Sequence, residues 1–144
     1  MTALIFFLCL LLFPLVITGQ TAQRSVAVTF DDLPATQRGD DLSHQRYVTE
    51  ALLTKLRDTN VPATGFVNEH RIIRYGEIDA RTELPKKWLD SGHQLGNHTF
   101  SHIAIDSASF EQYADDLIRG ETVTRMLLAQ KNQKLKYYRH TQLR

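Results

Sequence analysis

Cysteine is nearly absent from this 144-residue chain; Cys9 is the only one. A lone thiol closes no intrachain disulfide, so the fold cannot rest on a disulfide framework. Charge of one sign is equally lacking. Lys and Arg total 17 against 16 Asp and Glu, a formal net charge of +1. That balance gives no reason to expect a nucleic acid or an anionic membrane as partner. No motif points to a specific protein partner. No Gly/Ser-rich or Pro-rich linker, internal repeat or low-complexity run interrupts the chain, so one domain is expected.

No stretch reaches the roughly 20 apolar residues of a membrane-spanning helix. The longest uncharged run is ALIFFLCLLLFPLVI, residues 3–17. Its length suits the apolar region of a secretory signal, and Thr18-Gly19-Gln20-Thr21-Ala22 offers cleavage after Gly19 or Ala22. Residues 1–22 are therefore read as a signal peptide. Export follows, to a periplasm, a cell envelope or the medium. Only the α-amino group charges the start of this segment, so an anchor through residues 3–17 is the alternative. Cys9 sits inside the run as apolar filler.

A further absence bears on chemistry. GNHTFSH, residues 96–102, places His98 and His102 four apart. The familiar metal pattern at this spacing carries a glutamate beside the first histidine, and that glutamate is the base. Thr99 stands there instead.

The remaining sequence alternates between two periodicities. SVAVTF (25–30) is short and β-branched and runs into Asp31-Asp32. The next segment, 41–58, carries Tyr47, Val48, Ala51, Leu52 and Leu56 at helical spacing. Pro62 ends it, and ATGFV (63–67) reads as a second strand. Residues 70–80 are expected to be a loop with a turn of helix at most. ELPKKWLDSG predicts a short helix with Pro85 in its first turn and Gly92 as its stop. HQLGN (93–97) is a third strand. Ser109 with Gln112 forms a capping-box pattern. The long helix expected behind it carries Phe110, Tyr113, Leu117, Gly120, Val123 and Leu127 on one face. LKYYR (135–139) is a fourth strand.

Strands starting near 25, 63, 93 and 135 are spaced as βαβ units, which argues for a parallel α/β sheet. Chemistry in such sheets gathers at the carboxyl ends of the strands. Asp31, Asp32, His98 and Arg139 all fall there. Two imidazoles and one carboxylate form a ligand set for a borderline-soft divalent cation. The histidines can converge from a helical turn or from a tight loop. Neighbouring side chains of an extended strand point opposite ways. Where the backbone turns at the end of strand one, one aspartate can meet the cation while the other faces the water and serves as base. Each feature has a plainer reading. Histidines four apart recur by chance, paired aspartates often cap or solvate turns, and a lone arginine is usually at the surface. His93 reads as a satisfied strand residue, and His44 and His70 as surface positions. Trp88 and Phe100 read as core or pocket wall.

Taken together, TFDD at 29–32, SGHQLGNHTFSH at 91–102 and YYRH at 137–140 resemble the polysaccharide deacetylase (NodB homology, carbohydrate esterase family 4) motifs in order and spacing. The resemblance covers nearly all of the chain after residue 22. It implies a parallel-stranded distorted (β/α) barrel, here incomplete with about four strands. It also implies a metal-dependent hydrolase that removes N- or O-acetyl groups from polysaccharides. The same resemblance makes Asp32, His98 and His102 the metal ligands, Asp31 the base and Arg139 its orienting partner. Zn²⁺ is the expected cation, with Co²⁺, Mn²⁺ or Ni²⁺ as alternatives, and an acetylated glycan the expected substrate. Two positions depart from the pattern. Leu33 follows the aspartate pair where glycine is common, and Arg139-His140-Thr141-Gln142 replaces an Arg-Pro-Pro-Tyr-like motif. The family's late motifs, including a histidine general acid, have no match up to Arg144. A closed barrel of this class needs on the order of 200 or more residues. Residues 23–144 are therefore expected to be a C-terminally truncated deacetylase domain. The alternative is an inactive fragment, or a glycan- or metal-binding remnant.

Overall fold

The structure, a computed structural model, describes residues 24–36 and 41–143. Cys9, the run 3–17 and both expected cleavage points lie outside the described residues. Three parallel strands form the sheet in the order β1-β2-β3, with β1 at Val28–Leu33, β2 at Ala63–Val67 and β3 at Gln94–Asn97. The parallel α/β class read from the sequence holds.

Helix α1, Leu42–Thr59, connects β1 to β2. Asp41 caps it by accepting from the Ser43 amide, and Asn60 ends it at φ 52°. Its buried face is Gln45, Thr49, Leu53 and Leu56, while Tyr47 is exposed. The inward stripe is thus rotated from the one the apolar residues suggest. The reason is a polar anchor: Arg81 Nη1 donates to Gln45 Oε1 at 2.9 Å inside the protein.

Helix α2 runs Ile78–Asp90, so Pro85 lies well inside it rather than in the first turn. A proline there removes a helix hydrogen bond and costs about 3 kcal/mol. Burial offsets this: Arg81, Leu84, Pro85, Trp88 and Leu89 repeat at helical spacing and face inward. Gly92 follows at φ 82°, the left-handed stop expected of it.

The predicted long helix is two helices, α3 at Phe110–Arg119 and α4 at Thr122–Gln130. The capping box at Ser109 and Gln112 is present. The break falls at Gly120 and removes Phe110 from the inward face, leaving it exposed. The core joins Leu33, Leu53, Leu56, Val67, Trp88, Leu95 and Leu127. At its centre the fully buried Trp88 ring meets Phe30 edge-on at 5.5 Å.

The fourth strand is the main correction. Residues 135–139 contribute one parallel bridge, Asn97 to Tyr138. Asn97 N donates to Tyr137 O and Arg139 N to Asn97 O, both at 3.0 Å. Only the last residue of β3 lies alongside this segment, so the ladder extends no further. One bridge is enough to seat Arg139 at the carboxyl end of the sheet.

Candidate active site

Pleating sorts β1 into two faces. Phe30 and Leu33 point at the helices, where Phe30 meets Trp88. Thr29 and Asp31 therefore point to the opposite, inner face. A regular strand would send Asp32 back toward the helices. Instead the register slips. Phe30 pairs with Gly65 and Leu33 with Val67, so three steps along β1 match two along β2. Asp32, at φ 62°, is held in the left-handed region within this bulge. The bulge returns its carboxylate to the side that Asp31 already faces. The aspartates thus converge inside the strand, not beyond its end as the sequence suggested.

His98 and His102 sit on a loop, not on a helical turn. His98 N continues the ladder by donating to Val67 O at 3.0 Å. Thr99 and His102 then adopt φ 62° and 63°. Left-handed residues other than glycine cost of order 1–3 kcal/mol each, most for a β-branched one such as Thr99. Such strain persists only where surrounding contacts impose it. Here Thr99 N donates to Asn97 Oδ1 at 2.6 Å, and Asn68 Nδ2 donates to His98 O. His70 donates to Phe100 O through its amide and through Nδ1 at 2.9 Å. His70, read as a surface residue, is thus part of the loop's support.

The result is a compact cluster. His102 Nε2 lies 3.3 Å and His98 Nε2 3.9 Å from Asp32 Oδ1. One ligand atom from each of the three residues lies within 4.8 Å of the others. His98 Nδ1 is 2.8 Å from Arg139 O. A carbonyl only accepts, so Nδ1 carries a proton and Nε2 is the ring nitrogen that faces Asp32. Asp32 Oδ1 is buried and accepts no hydrogen bond. An orphaned buried carboxylate oxygen is costly unless something positive meets it. Donor atoms about 2.0–2.2 Å from a tetrahedral cation stand about 3.4 Å apart. The separations here, and the two-imidazole, one-carboxylate donor set, fit such an ion.

Arg139 organises the other half. Its Nη1 donates to Asp31 Oδ1 at 2.8 Å and to Thr29 Oγ1 at 2.9 Å. Its guanidinium lies 4.4 Å from the Phe66 ring centroid. Phe66 reaches that position because Gly96 leaves room: a Cβ at 96 would lie 2.6 Å from two Phe66 ring carbons. One residue therefore touches both parts of the site, Asp31 through its side chain and His98 through its carbonyl.

Residues 18–142 match the polysaccharide deacetylase family. The chain belongs to that family. The family's enzymes are deacetylases, hydrolases acting on carbohydrate acetyl groups. The chain is 30% identical over 110 residues to a peptidoglycan-N-acetylglucosamine deacetylase of Bacillus cereus, covering 76% of this chain and 34% of that protein. It is 28% identical over 113 residues to a chitin deacetylase of Pestalotiopsis sp., covering 78% of this chain and 33% of the relative. The chain thus spans about a third of the length of each of these two relatives. The peptidoglycan deacetylase PdaC of Bacillus subtilis has the same fold over 85% of this chain and 51% of its own, with a TM-score of 0.63 at 20% identity.

Thr29 and Asn97 fall within the motif stretches 29–32 and 91–102, where no role was read for either, and Asn68 has no sequence signal. Asn97 and Asn68, both buried, tie the loop to its neighbours. Trp88 is core, as its plainer reading held, and Phe100 carries Arg119 at 4.1 Å from its ring centroid.

Proposed function

We propose that this polysaccharide deacetylase chain hydrolyses acetyl groups from an N-acetylated, or O-acetylated, glycan in a metal-dependent reaction. Asp32, His98 and His102 hold the divalent cation. Zn²⁺ suits the donor set best, and Co²⁺, Mn²⁺ or Ni²⁺ would also be accepted. When bound, the cation supplies Lewis acidity toward a water and toward the acetyl carbonyl. Asp31 takes the proton from the attacking water, because it stands beside the cluster without belonging to it. Arg139 pairs with that carboxylate and aims it, and the hydroxyl of Thr29 fixes the guanidinium. The observation that carries this reading is the orphaned Asp32 Oδ1 facing two imidazole nitrogens. The relatives' activities on peptidoglycan and chitin support an N-acetylated glycan as substrate. The apolar run 3–17 supports export, with membrane anchorage as the alternative.

The test separates the two aspartates. Wild-type protein should bind one zinc by calorimetry, and Asp32→Asn should lose it. Asp31→Asn should keep zinc, while acetate release from acetylated chito-oligosaccharide or peptidoglycan falls by about 10²–10⁴-fold. If Asp31→Asn loses zinc as readily as Asp32→Asn, the division of roles is wrong. Stoichiometric zinc with no acetate release would support an inactive, metal- or glycan-binding remnant.

A further inference from the structure

We propose that Asp116 is a positioning residue: its carboxylate sets the shape of loop 98–102 and, through it, the placing of His102 against His98 and Asp32. This rests on the reading of those three residues as a cation site. Histidines four apart on a helix share a face without help. On a loop their convergence must be imposed from outside. The loop carries two left-handed residues, Thr99 and His102, the second being a member of the cluster. Ser101 is the residue immediately before His102. Its amide donates to Asp116 Oδ2 at 3.0 Å and Oδ1 at 3.2 Å, and its hydroxyl donates to Oδ1 at 2.8 Å. The Asp116 carbonyl accepts from Phe100 N at 2.9 Å. Asp116 therefore holds two consecutive residues of the loop, using both side chain and main chain.

Asp116 is 5% exposed and is the only buried residue of α3. Its carboxylate is bonded by the neutral Ser101 amide and hydroxyl. A carboxylate buried on neutral donors is an expensive choice unless its geometry is needed. Asp116 is also one turn before Gly120, whose amide donates to the Asp116 carbonyl at 3.1 Å. The α3–α4 break and the histidine loop thus share one anchor. The neighbouring Asp115 makes only an exposed ion pair with Arg119, so the two acidic residues of the pair do different things.

The test uses the full chain with three measurements: zinc affinity by calorimetry, unfolding of the metal-free protein in urea, and hydrogen exchange at the Phe100 and Ser101 amides. Asp116→Asn keeps the size but removes an acceptor. It should weaken zinc binding at least about tenfold, as loss of a residue supporting a ligand typically does. Exchange at both loop amides should accelerate. Asp116→Glu, which retains the carboxylate, should recover part of the affinity. Leu56→Ala, in the core and far along α1, should lose stability yet keep wild-type zinc affinity. Wild-type affinity in Asp116→Asn overturns the proposal, as does a Leu56→Ala protein that loses zinc equally. If Asp116→Asn fails to fold, Ser101→Ala removes the hydroxyl's bond to Asp116 Oδ1 and leaves the amide's bonds in place; zinc affinity and Ser101 amide exchange both unchanged from wild type then overturn the proposal. If wild-type protein binds no zinc, the cation-site reading falls by itself. The amide exchange of Asp116→Asn then still decides the positioning role, with unchanged rates overturning it.

Discussion

Gly120→Ala should destabilise this protein, although conformational reasoning alone predicts the opposite. Gly120 has φ −69° and ψ 5°, which alanine adopts freely. At such a position the substitution normally stabilises by about 0.4–1 kcal/mol, by restricting the unfolded chain. Here space decides. An added Cβ would lie 2.6 Å from Thr99 C, 2.7 Å from Phe100 N and 2.8 Å from Asn97 Oδ1. Comfortable contacts of this kind are about 3.5–4.0 Å, so the backbone must give way by about 1 Å. Two of the three obstacles are main-chain atoms and cannot rotate aside. Overpacking of this sort typically costs about 1–3 kcal/mol, which exceeds the conformational gain. A net loss of up to about 2.6 kcal/mol is expected in urea unfolding. The displaced atoms belong to the histidine loop, and metal ligands tolerate errors of only about 0.2 Å. Zinc affinity should therefore fall as well. Gly76→Ala is the control. Its φ of 74° penalises alanine, but nothing lies within 4 Å of the new Cβ. It should cost about 1–2 kcal/mol and leave zinc binding unchanged. A Gly120→Ala protein as stable as wild type, with unchanged zinc affinity, would refute the reasoning.

Two further outcomes test other parts of the molecule. Arg139→Lys keeps the charge but loses the flat guanidinium that lies over Phe66 and thereby holds Nη1 between Thr29 and Asp31; acetate release should drop about tenfold or more with zinc affinity nearly unchanged, and full activity would remove Arg139 from the machinery. Glu69, whose carboxylate accepts from Val123 N and Thr124 N at the start of α4, is held above the usual carboxylate range by burial, against the pull of those two amides and the Thr124 side chain. The folded state then binds that proton more tightly than the unfolded state, so Glu69's contribution to stability is greatest below pH 4.5 and declines as pH rises through the raised value. Carbon-13 titration of the Glu69 carboxyl should place its midpoint above 4.5, and a midpoint at or below 4.5 would show that the helix amides outweigh burial.

Much of this protein was legible in its sequence because short-range rules govern those parts. The break at Pro62 marked β2 at 63–67 to the residue, the 3.6-residue spacing marked α1 nearly so, and Ser109 with Gln112 marked the capping box. The spacing of the motifs pointed to Asp31, Asp32, His98, His102 and Arg139 as one group, because parallel strands deliver their carboxyl ends to the same side. What the sequence could not contain was the mechanism of convergence. A slip of one residue between β1 and β2 turns Asp32 to the face of Asp31. Two left-handed residues fold the histidine loop, and a buried carboxylate on a later helix holds it. Each of these states is unfavourable for the isolated segment, so no local propensity announces it. The same holds for Pro85 inside α2 and for the break at Gly120. Both are local penalties outweighed by burial, and burial exists only once distant elements have packed together.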